Sequence, residues 1–189
     1  MRRLLLIAVV FFAVAGLFYS CKKYKDAAPV TDPRLTNPYC NDPEAVNYNW
    51  GFPGKPDNTV CFYPSDLYVG TYKFRDSIYT LSGLFISADS FELNISRIPG
   101  TQKNRINVAG FCGGGILLAL TASASYTATI DTVIGDSLSM HQGQQFCHVY
   151  DTVTGNIDRD RVDSTLLRVS FQVVSDTATY THTGRAIKK

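Results

Sequence analysis

From Leu67 onward, apolar and polar residues alternate with a period of two. Tyr68, Gly70, Tyr72 and Phe74 fall on one side of the chain. Phe91, Leu93 and Ile95 alternate with Glu92, Asn94 and Ser96, and Ile106 and Val108 with Arg105 and Asn107. Tyr126, Ala128 and Ile130 alternate with Thr127 and Thr129, and Leu167, Val169, Phe171 and Val173 with Arg168, Ser170 and Gln172. Strict alternation puts one face of a strand on a core and the other in water. Turn chemistry separates the runs at Ser82-Gly83, Pro99-Gly100, Gly113-Gly114-Gly115, Gly135-Asp136, Thr154-Gly155-Asn156 and Ser175-Asp176. No stretch has a convincing helical period. The pattern predicts an all-β domain over residues 66–189, an antiparallel meander of about eight strands closing into a small barrel or a two-layer sandwich.

The first residues follow another rule. Met1-Arg2-Arg3 is basic, Leu4 to Phe18 is an apolar run of 15 residues, and Ser20-Cys21 follows. A charged start, an apolar stretch and a small residue at the cut make a secretory signal peptide. The run is short for a membrane span, which needs roughly 20 apolar residues. The Ser20-Cys21 junction resembles a bacterial lipobox of the kind carried by Bacteroidetes lipoproteins. The resemblance implies cleavage after residue 20, lipid (including palmitate) on Cys21, and attachment to the outer membrane, facing the periplasm or the cell surface. Ordinary secretion after a cut near Ala15 or Ser20, with Cys21 incidental, is the alternative, and an uncleaved anchor is another. Multiple acyl chains hold a protein on a bilayer because each buried CH₂ contributes ~0.8 kcal/mol.

Residues 21–38 then read as anchor and linker. Lys22-Lys23-Tyr24-Lys25 favours anionic headgroups, and Pro29, Pro33 and Pro38 favour extended backbone. Loss of Arg2 and Arg3 from the 18 Lys and Arg leaves 16, against 16 Asp and Glu. A balanced charge argues against nucleic acid, which is bound through clustered positive charge. With 11 Phe and 11 Tyr, the chain has ample material for a core.

Of five cysteines, lipid on Cys21 would leave Cys40, Cys61, Cys112 and Cys147. An even remainder in an exported chain predicts disulfides, with three connectivities open. Cys40–Cys61 with Cys112–Cys147 is preferred, since the first pair brackets a compact loop and the second sits at strand ends. By chain entropy the first bridge is worth about 3 kcal/mol.

Residues 39–65 form the module that the first bridge would clip. Its Asn41-Asp42-Pro43, Gly51, Pro53-Gly54 and Asp57-Asn58 are turn chemistry. The order Cys40, Asp42-Pro43, Ala45, Asn47-Tyr48, Asp57, Cys61 resembles a short module of Bacteroidetes surface proteins. Tyr48, Trp50 and Phe52 are a candidate ligand platform for sugar stacking; packing over the disulfide is the plainer reading. Asp42 and Asp57 supply oxygen ligands of the sort calcium uses, although Asx turns explain them equally and no metal is expected. The start Tyr68-Val69-Gly70-Thr71-Tyr72, followed by hairpins, resembles small Bacteroidetes lipoproteins with a calycin-like β-meander. That likeness implies a fold and a compartment but no activity.

Catalytic signatures are missing from the linear order. There is no Gly-x-Ser-x-Gly elbow and no His-Glu-x-x-His. His141 and His148 flank Cys147, yet six strand residues separate His141 from Cys147 by roughly 20 Å, and His148 points to the other face. Asn156, Asp158 and Asp160 begin like a calcium loop, but Arg161 and Leu167 stand where Gly and Glu are needed, so a solvated hairpin tip is expected. Phe111-Cys112-Gly113-Gly114-Gly115 lacks the Lys and following helix of a phosphate cradle. No enzyme and no cofactor are expected; the expected role is a non-catalytic binding or structural module of the envelope, with a glycan or an envelope protein as partner. An envelope hydrolase or enzyme inhibitor acting through loop residues is the rival, and a secreted glycan-binding protein another. Asp-Ser/Thr followed by a small apolar residue occurs six times, at Ser77, Thr132, Ser137, Thr152, Ser164 and Thr177. This tripeptide resembles the O-glycosylation site of exported Bacteroidetes proteins, and one or two sites are expected to carry sugar.

Overall fold

The computed structural model describes residues 31–100, 102–131, 143–148 and 150–189. Two short strands come first: β1 (Pro38–Tyr39) and β2 (Lys55–Pro56), paired in parallel. The meander follows as β3 (Gly70–Thr80), β4 (Phe85–Arg97), β5 (Arg105–Ala109), β6 (Leu117–Ala122), β7 (Thr127–Ile130), β8 (Gln144–Gln145), β9 (Thr152–Arg159), β10 (Leu166–Val174) and β11 (Thr179–Lys188). The sheet order is β10-β11-β3-β4-β5-β6-β7-β9, and β9 pairs back onto β10. All these pairings are antiparallel. The sheet therefore closes into an eight-stranded barrel, and of the two architectures left open by the alternation the barrel is the one present.

Eight strands enclose a lumen that side chains can just fill. The inward residues are large and apolar, among them Tyr72, Phe74, Leu93, Ile106, Leu120, Leu167 and Phe171, all buried. An interior void of about 10 Å³ remains between Val108, Leu118, Ile130, Val169 and Phe171, near the lower limit for holding one water. One end of the barrel is closed by a 3₁₀ turn at Pro64–Leu67, which delivers Leu67 and Tyr68 to the core. Its Ser65 hydroxyl donates to the Lys103 carbonyl at 2.7 Å, and Tyr72 Oη donates to the Tyr68 carbonyl at 2.8 Å. Burial pushes the Tyr68 and Tyr72 phenols up.

The other end is plugged by aromatic rings. Phe111 packs against Phe74, Phe91, Phe146 and Phe171 with centroids 5.3–6.3 Å apart. Phe111 and Phe146 each precede a cysteine, and Cys112 and Cys147 are bridged with Cα atoms 5.3 Å apart. The two rings are buried while both cysteines are exposed. The other bridge joins Cys40 and Cys61, so the preferred connectivity is the one found.

β7 is short, and Gln144 compensates for it. Its side-chain amide accepts from Ala119 N at 2.9 Å and donates to the Ala119 carbonyl. One side chain thereby extends the hydrogen-bonded wall beyond the end of β7.

Two expectations fail here. Thr154-Gly155-Asn156 is no turn; it lies inside β9, where Gly155 sits opposite Phe171. Gly155 has φ +150°, and a Cβ there would stand 2.3 Å from the Ser170 carbonyl oxygen and 2.5 Å from Phe171 Cα. The glycine serves close strand approach rather than chain reversal. Tyr126 does not share the strand face of Ala128 and Ile130. It occupies the turn before β7 with φ +71° and lies half-buried against the core, 5.6 Å beneath the Arg161 guanidinium.

Replacing Gly155 by Ala forces a methyl group into this approach. The expected loss is about 1–3 kcal/mol, seen in urea denaturation as a lower midpoint at unchanged slope.

Candidate functional site

The clip module is built from turns, and its turn residues hold it shut. Asp57 caps a short 3₁₀ turn, accepting from Thr59 N at 2.9 Å and Thr59 Oγ1 at 2.6 Å. The Asn47 side chain acts like a strand: its Nδ2 donates to the Val60 carbonyl at 2.8 Å and its Oδ1 accepts from Phe62 N at 3.0 Å. Asp32 caps a turn at Pro33–Thr36, so the end of the linker is folded onto the module through β1 rather than extended throughout.

Asp42 docks the module on the barrel. Its carboxylate accepts from Lys103 Nζ at 2.5 Å, Glu44 N at 3.0 Å and Tyr63 Oη at 3.0 Å. The same ammonium lies 4.4 Å above the Tyr63 ring. The Lys103 ammonium, then the Glu44 amide, hold the Asp42 carboxyl below the usual carboxylate range, and Asp42 in turn pushes Lys103 up. Asp42 and Asp57 are thus spent on an ion pair and a cap, which is the Asx-turn reading of these residues.

Three aromatic residues of the module lie on its outer surface. Tyr48, Trp50 and Phe52 are 42, 60 and 68% exposed. Asn49 (φ +58°) and Gly51 (φ +92°) stand on either side of Trp50. Two of the three rings are nonetheless braced: Trp50 meets Phe62 edge-on at 5.8 Å, and Phe52 meets Tyr39 edge-on at 5.7 Å. Phe62 itself packs on the barrel core. For Trp50 and Phe52 the arrangement combines the two alternatives, since each is anchored by an inner neighbour and still offers more than half its surface to solvent, whereas Tyr48 has less than half its surface in solvent. A braced, exposed ring can stack on a sugar face or an apolar side chain with little entropy to lose.

The remaining candidates scatter. Cys21, Thr132, Ser137 and His141 lie outside the described residues. Ser164 and Thr177 are exposed in the β9–β10 and β10–β11 turns, Ser77 is half-buried on β3, and Thr152 is buried at the start of β9. Cys147 is consumed by its bridge and His148 is exposed. Asn156 and Asp158 lie within β9; Asp158 accepts from Thr127 Oγ1 at 2.7 Å. Asp160 begins the hairpin turn, where the Asp163 and Val162 amides, then Arg168, lower its carboxyl to about 2. Among the described residues no three His, Cys, Asp or Glu side chains are grouped to hold a metal. No helix among them is long and apolar enough to cross a membrane.

One polar pair went unnoticed in the sequence. Asp76, 4% exposed, holds His182 Nδ1 at 2.7 Å, and the imidazole stacks on Phe171 at 4.4 Å. The signal was present as phase: Asp76 falls in step with Tyr72 and Phe74, and His182 with Ala186, on inward-facing positions.

No family model matches this chain, and no curated protein matches it. Among solved structures it is similar to a redesigned beta barrel, with 13% identity, 67% of this chain and 95% of that one covered, and a TM-score of 0.40. It is also similar to EF1p2_mFAP2b bound to DFHBI, with 14% identity, 67% and 97% covered, and a TM-score of 0.41.

The docking pair makes a pH prediction. A lowered carboxyl stabilises above its unfolded pKa and is lost as pH falls through the folded value. A raised amine stabilises below its unfolded pKa and is lost as pH rises through the folded value. The module should therefore stay docked between about pH 4 and about pH 10. Lys103→Ala should loosen it at neutral pH, read as faster amide exchange over residues 39–63 with exchange in β10 unchanged.

Proposed function

We propose that this chain is an exported, lipid-anchored, non-catalytic module of the cell envelope. Cys21 holds it on the outer membrane, and the clip aromatics contact a glycan or an envelope protein. The observation that carries this reading is where space is found. Among the described residues the barrel lumen is filled by side chains down to a void of about 10 Å³, whereas Trp50 and Phe52 stand braced and exposed. A small-molecule carrier or a hydrolase needs a concave, lined pocket of some hundreds of Å³. A filled barrel is instead a rigid support for a surface displayed at its end. The two disulfides agree with folding in an oxidising compartment. Exposed Ser164 and Thr177 are the candidate positions for attached sugar.

Trp50 is the sole tryptophan, so its emission reports on the platform directly. Soluble envelope polysaccharide should shift that emission, and Phe52→Ala should weaken the response roughly tenfold. An unshifted spectrum with polysaccharide and with purified envelope proteins overturns the platform. Separately, metabolic palmitate should label the wild type and not Cys21→Ala; label retained in the variant overturns the anchor.

A further inference from the structure

The outer wall of the barrel carries a row of arginines. Arg75 on β3 stands opposite Arg185 on β11, and Arg185 stands opposite Arg168 on β10. All three are exposed, while Phe74, Ala186 and Leu167 beside them in the chain are buried. Lys189 N donates to the Thr71 carbonyl and Lys188 N to the Thr165 carbonyl. Counted along the register from these bonds, Arg75 and Arg185 form a hydrogen-bonded pair, with Cα atoms roughly 5.5 Å apart. Arg185 and Arg168 form a non-hydrogen-bonded pair, roughly 4.5 Å apart. Lys73 adds a fourth exposed charge on the same face of β3.

Like charges directly opposite one another destabilise a sheet. Composition does not force them together, since the chain has 18 Lys and Arg against 16 Asp and Glu. The neighbouring acids are engaged elsewhere or reach one end of the row alone. Arg168 holds Asp160 at 3.0 Å. Glu92, opposite Lys73, is held by Lys189, and Asp158, opposite Arg168, accepts from Thr127. Among the described residues no carboxylate pairs with Arg75 or Arg185.

The next rows on this face are hydrogen-bonding groups. Ser77, Thr183 and Ser170 stand opposite one another, and beyond them Tyr79, Thr181 and Gln172. We propose that this wall binds an acidic polysaccharide. Guanidinium forks match the oxygens of sulfate, phosphate or carboxylate groups. The adjoining hydroxyls and amide both donate and accept, as sugar hydroxyls require. A bilayer is the other anionic surface of an envelope, but peripheral binding to it draws on apolar side chains that enter the acyl boundary. Along β3, β10 and β11 the only exposed large hydrophobic residue is Ile187. The site is separate from the clip aromatics and stands whether or not they contact a glycan.

Dextran sulfate is the probe, offered to the full chain with neutral dextran as control. The chain should bind dextran sulfate, less tightly as salt rises, and should leave neutral dextran free. Arg75→Gln combined with Arg185→Gln should weaken binding by roughly tenfold or more. Arg34→Gln combined with Lys55→Gln removes the same charge from the clip and should bind as the wild type does, as should Phe52→Ala. The arginine variant should unfold at a urea midpoint no lower than the wild type's, because the repulsion leaves with the charges. Undiminished binding by the arginine variant overturns the proposal, and so does an equal loss in either clip variant. A lower urea midpoint makes the arginines structural and overturns it too. Inorganic polyphosphate bound as tightly as dextran sulfate would mean that charge alone is read. Arginine-dependent partition into phosphatidylglycerol vesicles would make a lipid headgroup the occupant. Either result also overturns the polysaccharide.

Discussion

Pairing of β10 with strands on both sides is the constraint that makes the rest of the molecule possible. An open sheet of eight strands would carry two edges of unsatisfied amides and carbonyls. Ring closure satisfies them at once and fixes the width of the lumen. That width then dictates the interior, which is filled by ranks of Tyr, Phe, Leu, Ile and Val with the Asp76–His182 pair among them. Closure is weakest at four-residue β7, and there a glutamine side chain stands in for backbone at Ala119. One full amide, donor and acceptor together, is the only kind of side chain besides Asn that can copy a peptide group in this way.

The rigid ring also explains how so small a clip holds its shape. The module has two two-residue strands of its own and owes its order to a disulfide, an asparagine bridge and the Asp42–Lys103–Tyr63 contact. Each of these ties a turn either to itself or to the barrel. Trp50 gains a fixed orientation because Phe62, beneath it, belongs to both the module and the core. Order flows outward from the lumen to the surface.

Alternation made most of the strands legible. Period-two patterns are local, and one buried face suffices to produce them, as at Leu167–Val173. The misread positions share a cause: residue type reports a backbone conformation but not the reason for it. Gly155 looked like a turn because turns and close strand approaches both call for a missing Cβ, and only Phe171, sixteen residues on, distinguishes them. Tyr126 fits the period of β7 but lies in the preceding turn. The pairing of Asp76 with His182 spans 106 residues, so no window of sequence could join them. The clip aromatics were legible as a group, whereas their exposure was not, since it depends on Tyr39 and Phe62 approaching from behind.

The Cys112–Cys147 bridge gives the plugged end a covalent clasp of unusual placement. Its sulfurs lie outside while the adjoining Phe111 and Phe146 rings lie within, so a reductant could reach the bond without any strand parting. Cleaving it would leave the ring of strands whole and entrust the plug to packing alone. The rim is thus fastened from outside, by a bond that lies apart from the strand ladder it clasps.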